Sequence, residues 1–363
     1  GNYSLTQPTT TANITAKTLT VTGITAANRV YDATISATGL LSYGPAALQG
    51  TETGDTVTLD TTQIAAVFLN KNVGTGKSVV VSGLTISGTD AGNYSLTQPT
   101  TTANISAKIL TVSGITAANK TYNASTVATL NTGSAAFVGV VSGDAVTIGV
   151  GSATGAFADK NIGTGKTVQV SGVTKSGGDA GNYTITQPTT TANIIAKTLT
   201  VSGITANNKT YNASTTATLN TGSAAFVGIE SGDTVNIGVG SATGAFADKN
   251  IGTGKTVQVS GVTKSGADAG NYTITQPSTT ANITAKGLTV TGITAANRVY
   301  DATTSATGLL DKTAAALSGV ESGDTVTMSH SSATASFTDK TIGTGKTVNI
   351  AGITISGTDS GNY

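Results

Sequence analysis

The chain repeats itself, and that periodicity limits its fold more than any local signal. Gly-Asn-Tyr begins at Gly1, Gly92, Gly181 and Gly270, and once more at Gly361, at steps of 91, 89, 89 and 91 residues. A second phrase keeps the same time: Tyr31-Asp32-Ala33, Tyr122-Asn123-Ala124, Tyr211-Asn212-Ala213 and Tyr300-Asp301-Ala302. With a fixed period of this length, each copy must be one structural unit that leans on its neighbours. The two middle copies, from Gly92 and from Gly181, differ at 11 of 89 aligned positions. Near-identical copies add length, whereas four copies of one catalytic site would be unusual.

Within a copy, apolar and polar residues alternate with period two, the pattern of strands with one buried face. Leu19 and Val21 alternate with Thr18, Thr20 and Thr22, and Val57 and Leu59 with Thr56, Thr58 and Asp60. Val79 and Val81 face one way, and Leu84 and Ile86 follow Gly83. Tyr94 and Leu96 open a closing strand that Ala103 and Ile105 end. Gly/Asn/Asp/Ser clusters separate these runs. Short strands with regular turn signals read as an all-β antiparallel sandwich or a small open barrel. Pro45 to Leu48, and Ala224 to Phe226 in another copy, read as one helical turn.

Parity places the boundaries. Ala12, Ile14 and Ala16 stand on even positions and Leu19 and Val21 on odd ones, so the inward face switches at Lys17-Thr18. A strand that keeps its direction while changing its buried face must bulge, twist or pass from one core to the next. The switch recurs between Ile105 and Leu110, Ile194 and Leu199, and Ile283 and Leu288. The expected repeats are therefore 16–106, 107–195, 196–284 and 285–363. Residues 1–15 then form the closing strand of a preceding repeat, and the fourth repeat lacks that strand. Two explanations stand open: a window cut from a longer repeat protein, or head-to-tail strand addition between copies. No Gly- or Pro-rich linker separates the repeats, which implies stiff joints. Strands of about nine residues give units of roughly 30–40 Å, and four in line about 120–160 Å.

Composition removes several function classes. Charged residues are 10%, against roughly 25% in ordinary soluble domains. The net charge of +1 offers no basic stripe, so nucleic acid has no footprint here. No apolar run approaches the length of a membrane-spanning helix. The strands carry Thr and Ser where lipid-facing apolar residues would stand in a membrane barrel. Thr is about a fifth of the chain, and 37% hydrophobic residues in regular alternation do not suit disorder. The absence of cysteine excludes disulfides and thiolate metal sites.

Candidate chemistry is thin. Gly74-Thr75-Gly76-Lys77-Ser78 resembles part of a phosphate loop, but Lys71 stands where the pattern needs glycine, and strand rather than helix follows. Asp55, Asp144, Asp233 and Asp324, with Asp90, Asp179, Asp268 and Asp359, invite calcium. Each repeat has too few acids for six to eight oxygen ligands, so these residues read as holders of turn backbone. Lys17 and Asn104 are the residue types of an isopeptide bond, but Asp32, a candidate carboxylate, becomes Asn123 and Asn212 in other copies. Tyr31 and Tyr94 read as packed rings with a hydroxyl at the rim, and the lone His330 as a surface residue. No catalytic, cofactor-binding or metal-binding residue is assigned, and no enzymatic activity is expected.

The run from Ala16, Ala-Lys-Thr-Leu-Thr-Val-Thr-Gly-Ile-Thr-Ala-Ala-Asn-Arg-Val-Tyr-Asp-Ala-Thr, resembles the opening of YDG-type tandem repeats. The run from Ser87, Ser-Gly-Thr-Asp-Ala-Gly-Asn-Tyr-Ser-Leu-Thr-Gln-Pro, is similar to their close. Ala replaces the eponymous Gly, and Asn replaces Asp in the two middle copies. Such repeats occur in large bacterial surface proteins similar to filamentous-haemagglutinin adhesins. The resemblance implies an extracellular, secreted structural stalk or filament segment, a rigid extender for cell adhesion on the bacterial surface or in a biofilm matrix. Its expected partners are neighbouring repeats of the same protein. The alternative is a repeated weak carbohydrate- or ice-binding array, which would need a flat threonine or aromatic platform on one side.

Overall fold

A computed structural model describes residues 1–363. It is all-β, with short 3-10 turns and no α-helix. The chain divides into two compact units, Gly1–Lys120 with Thr126–Ile194, and Thr121–Ser125 with Ile195–Tyr363. The first repeat, in the first unit, sets the pattern. Its strands are β1 (Lys17–Thr22), β2 (Thr25–Ala26), β3 (Arg29–Val30), β4 (Leu41–Ser42), β5 (Ala47–Gln49), β6 (Thr58–Asp60), β7 (Ala65–Phe68), β8 (Gly74–Ser82), β9 (Thr85–Ser87), β10 (Tyr94–Leu96) and β11 (Thr100–Ser106).

One sheet has the order β10-β1-β5 and another β3-β11-β8-β7. The pairs β2–β4 and β6–β9 are antiparallel. Two pairings are parallel, β1 with β10 and β3 with β11. Both bring the end of the repeat back beside its beginning. Alternation then fills the interior: Leu19, Val79, Val81, Ile105 and Phe68 are 0–1% exposed, while Thr18, Thr20 and Thr22 face out. Gly83 holds φ at +77°, and a Cβ there would lie 2.0 Å from the Gln63 carbonyl oxygen, so this close turn needs glycine.

The closing segment is two strands rather than one. Pro99, with no N–H to give, stands in the break between β10 and β11. The Gln98 side chain bridges the gap: its Oε1 accepts the Leu84 N–H at 3.1 Å and its Nε2 donates to the Leu84 carbonyl at 2.8 Å. Gln187 on Val173 and Gln276 on Val262 do the same. The helical turn expected over Pro45 to Leu48 is not formed. Ala47–Gln49 is β5, with Leu48 opposite Val21, and Ala225–Val227 is likewise a strand. Burial of Leu48 and Phe226 against β1 and its counterpart outweighs local preference.

Residues 1–16 carry no strand and are exposed throughout. A closing strand needs β1, β3 and β8 of its own repeat as partners, and Gly1–Thr15 has no such body beside it here. At the other boundary Ser106 ends β11, Ala107 alone intervenes, and Lys108–Ser113 begins the next strand. The buried cluster of the first repeat takes in Leu110 and Tyr183, so one core runs across the boundary.

In the second unit the third repeat keeps this plan. Lys197–Ser202 lies between Ala225–Val227 and Tyr272–Ile274, and Gly252–Ser260 lies between Thr243–Phe246 and Ser278–Thr284. In the fourth repeat the two larger sheets are reduced to two strands each, Thr289–Thr291 with Ala316–Ser318 and Thr334–Phe337 with Val348–Ala351, while the pairs Thr294–Ala295 with Leu310–Asp311 and Thr327–Ser329 with Thr354–Ser356 are kept.

Candidate functional site

The recurring phrases meet where one repeat follows another. The backbone of β3 sets Tyr31, whose N–H donates to the Ser106 carbonyl at 2.9 Å and so continues the parallel pairing with β11. The ring is 1% exposed. Its hydroxyl leaves the first repeat and donates to Asp144 Oδ2 at 2.8 Å. Tyr183, from the Gly-Asn-Tyr that closes the second repeat, donates to the same oxygen at 2.6 Å. The two rings meet edge to face, centroids 5.4 Å apart and planes at 75°, a favourable quadrupole arrangement.

Lys71, in the loop before β8, completes the clamp. Its Nζ lies 2.9 Å from Asp144 Oδ1 and 3.0 Å from Asp179 Oδ1. The Asp144 side chain is only 2% exposed, so an ionised carboxylate there requires these three donors. Next to Lys71, the Val73 N–H donates to Asn182 Oδ1 at 2.9 Å, and Asn182 Nδ2 donates to Asn72 Oδ1 at 3.3 Å. The leading repeat thus gives Tyr31 and the Lys71–Val73 loop. The following repeat gives Asp144, Asp179, Asn182 and Tyr183.

The second unit repeats the arrangement. Tyr211 and Tyr363 both donate to Asp324 Oδ2 at 2.7 Å. Lys249 bridges Asp324 at 2.7 Å and Asp359 at 3.0 Å. Asn362 Oδ1 accepts the Ile251 N–H at 3.0 Å. Within the same unit Tyr122 and Tyr272 both donate to Asp233 Oδ2 at 2.7 Å. At the front of the chain half of the clamp stands by itself: Tyr94 donates to Asp55 Oδ2 at 2.6 Å.

Electrostatics fixes these groups in one protonation state. Burial and the bond to Asp144 push the Tyr183 hydroxyl up to about 12. Tyr272 and Tyr363 go to about 12 for the same reasons. Lys249 and Tyr363 hold Asp324 down to about 2. Burial alone would raise Asp144, but the bonds from Tyr183, Lys71 and Tyr31 outweigh it and its pKa falls. Both Lys71 and Lys249 are raised above the ordinary lysine value by their two aspartates. Proton transfer needs groups poised near the working pH; these sit far from neutrality and act as permanent donors and acceptors.

The sequence-derived candidates are redistributed accordingly. Asp90, Asp179 and Asp359 hold turn backbone, accepting the N–H groups of Thr56, Ala145 and Thr325 at 2.9–3.0 Å. Asp144, Asp233 and Asp324 instead take tyrosine hydroxyls, and a lysine ammonium fills the space between the Asp144 and Asp179 carboxylates where calcium was considered. Lys77 of the phosphate-loop lookalike bonds Asn70 Oδ1 at 2.6 Å within β8 and the turn before it. Gly76 there is capped by Asn104 Oδ1 at 2.7 Å, and the Asn104 N–H donates to Asn28 Oδ1 at 2.7 Å. Lys17 pairs with Glu52, so Lys17 and Asn104 are not brought together. His330 follows the strand Thr327–Ser329, and its carbonyl accepts from Lys312 at 3.2 Å.

The Tyr-Asp/Asn-Ala phrase gains a local meaning as well. Asp32 Oδ1 accepts the Thr34 N–H at 2.9 Å, and Asn212 Oδ1 accepts the Ser214 N–H at 3.3 Å, so either residue makes the turn. The preceding cation changes in step. Arg29 bonds Asp32 and lies 4.8 Å over Phe68, whereas Lys209 bonds Asn212 and lies 5.4 Å over Phe246. Ala33, Ala124, Ala213 and Ala302 hold φ of 57–64°. That is the left-handed region in which the eponymous glycine costs nothing.

Sequence reasoning missed the clamp because its partners stand more than one period apart, Tyr31 from Asp144 by 113 residues. The available signal was joint retention of Lys71, Lys160, Lys249 and Lys340 with Tyr, Gly-Asp and Gly-Asn-Tyr, while neighbouring positions change.

The family model of the YDG domain matches residues 15–103, 106–192, 195–281 and 284–363. No curated protein matches the chain. Among solved structures, the chain is similar to Drosophila N-cadherin EC1-4, at 8% identity over 91% of this chain and 98% of that one, with a TM-score of 0.18. Drosophila N-cadherin EC1-3 follows at 9% identity over 72% and 98%, with a TM-score of 0.17. Scores this low carry no argument.

Proposed function

The chain belongs to the YDG domain family, and from that premise we propose that it is a structural stalk or filament segment of a bacterial cell-surface or biofilm-matrix adhesin. The observation that carries this reading is where the recurring side chains are used. Tyr31, Lys71, Asp144, Asp179, Asn182 and Tyr183 hold a repeat to the next one, as do Tyr211, Lys249, Asp324, Asp359, Asn362 and Tyr363. A spacer works by transmitting load and holding distance. Between the first and second repeats load meets no slack, because Ala107 alone separates β11 from the strand that follows. Each joint adds a buried carboxylate that sliding would strip of its donors, and an unpaired buried charge is costly. Secretion, an extracellular site and neighbouring repeats as the working partners belong to the same reading.

The test uses cells that make the full-length protein. Antibody against these repeats labels intact cells, and deletion of residues 107–284, which rejoins the pattern in register at Ala285, shortens the reach of adhesive contact. Repeats found inside the cell, or adhesion indifferent to the deletion, would overturn the proposal.

A further inference from the structure

In the first and third repeats two pairings are parallel, and both join the first strands of the repeat to its last. In the first repeat β1 pairs with β10 as Lys17↔Tyr94, Thr18↔Ser95 and Leu19↔Leu96, and β3 pairs with β11 as Arg29↔Ile105 and Val30↔Ser106. In the third repeat Lys197–Ser202 pairs with Tyr272–Ile274, and Lys209–Thr210 with Ser278–Thr284, in the same sense. One further bond extends each ladder there. The Thr275 N–H donates to the Leu199 carbonyl at 3.0 Å, and the Tyr211 N–H to the Thr284 carbonyl at 2.8 Å. Leu199 and Ile283, which stand in these ladders, are 0% and 2% exposed. The small pairs Thr205–Ala206 with Leu219–Asn220 and Asn236–Gly238 with Thr263–Ser265 are antiparallel and join strands that lie between the two ends.

A repeat under tension is pulled at the start of its first strand and at the end of its last. In the third repeat load enters at Lys197 and leaves at Thr284. It draws Lys197–Ser202 back toward its own start, and Tyr272–Ile274 and Ser278–Thr284 forward toward their own ends. Parallel strands drawn from opposite ends slide along one another, so every bond of the ladder is loaded at once. The same strands drawn apart at one end open bond by bond. We propose that these two parallel pairs are shear locks, the elements that set how much force a repeat withstands. Sliding also drags Leu199 and Ile283 out of the core, which adds the cost of wetting them. The tyrosine–aspartate clamp stands at the loaded ends of the locks. In the first unit Tyr31 directly follows β3 of the exit lock and donates to Asp144. Tyr183 is the residue paired with Lys108 at the entry of the second repeat, and it donates to the same carboxylate. That joint ties the exit lock of one repeat to the entry lock of the next.

The inference deepens the stalk reading and rests on it, but the two fail separately: a repeat without shear locks still adds reach on a cell, and a reach assay does not measure force. The chain has no cysteine, so introduced pairs choose where a single molecule is held. In the full chain, Ile195→Cys with Ala285→Cys loads the third repeat from its ends. Ser202→Cys with Thr275→Cys draws two strands of the same lock apart at one end. All four side chains are exposed, and both variants are expected to keep the melting temperature of the unaltered chain. Forced unfolding follows the unfolding rate rather than the equilibrium, so one fold can resist differently in two directions. In an optical trap at equal loading rate, the end-loaded repeat is expected to open in a single step at about twofold or more the force of the one-end geometry. Equal forces, a weaker end-loaded repeat, or an end-loaded repeat that opens in several small steps would overturn the proposal.

Discussion

The third and fourth repeats share a sequence plan and differ in one segment. The third has Thr273–Ile274 and Ser278–Thr284 to complete its sheets, whereas the described residues of the fourth stop at Tyr363, before the corresponding segment. The consequence reaches every layer. Leu199 is 0% exposed in the third repeat, whereas its counterpart Leu288 is half-buried. Phe246 is 3% exposed, and Phe337 is half-buried. The strand Gly252–Ser260 shrinks to Val348–Ala351. The loop and turn framework survives without the closing segment, and Ala306, Ala333 and Ala335 stay buried, but the large apolar side chains of the core do not. A repeat is closed by its last strands, which return to pair with its first.

The largest expected effect comes from erasing that difference. A second copy of residues 273–286 joined after Tyr363 is expected to slow amide exchange across Val348–Ala351 and raise the stability of the fourth repeat. The gain is on the order of 5 kcal/mol, at about 2 kcal/mol for each large apolar side chain covered. Unchanged protection would show that the closing strands are not what the fourth repeat lacks.

Extremes of pH come next, because they act at several joints together. Asp324 is held at about 2, below the ordinary value of about 3.9. Its contribution is therefore whole above pH 4 and is lost as pH falls from about 4 to 2. Tyr183, Tyr272 and Tyr363 are held at about 12, above the ordinary value of about 10. Their contribution is whole below pH 10 and is lost as pH rises from about 10 to 12. Melting temperature followed against pH is expected to fall at both ends, with Tyr211→Phe and Tyr31→Phe variants less sensitive to acid than the unaltered chain.

The same substitution at two tyrosines sharpens the comparison. Tyr211→Phe removes a donor from a buried carboxylate and is expected to cost about 1–2 kcal/mol. Tyr300→Phe, at a ring 57% exposed, is expected to change stability by under about 0.5 kcal/mol. Equal effects in denaturant titrations would mean that the Asp324 contact contributes nothing.

The smallest effect concerns the turn. Ala213→Gly and Ala302→Gly both relieve a left-handed φ and are expected to stabilise by about 1 kcal/mol or less, since glycine also widens the unfolded ensemble. The effect is expected to match in the two repeats, because this turn does not depend on the closing strands. A loss of stability in calorimetry at either position would contradict the assigned backbone geometry.

Much of this fold was legible from alternation. Leu19, Val21, Val79, Val81, Ala103 and Ile105 point inward as their parity requires, and the change of face around Ala107 is real. Three features were hidden for physical reasons. The break at Gln98-Pro99 depends on a side chain replacing a strand, which periodicity cannot report. β5 was misread because its partner, β1, lies far away in sequence. The joint was hidden because its energy lies between repeats, so Asp144 looked like a turn residue and Tyr31 like a rim tyrosine. Only their joint recurrence, with Lys71, pointed to shared work.

The central claim is that these motifs couple one repeat to the next, and native-state hydrogen exchange in an Asp324→Ala variant of the full chain tests it most directly. Asp324 lies in the fourth repeat, but its partners Tyr211 and Lys249 belong to the third. The account predicts faster exchange in the third repeat, at Ser278–Thr284 and at the Tyr211 N–H that bonds Thr284, because local opening there would no longer be opposed by the clamp. Exchange that quickens only within the fourth repeat, with the third unchanged, would contradict it.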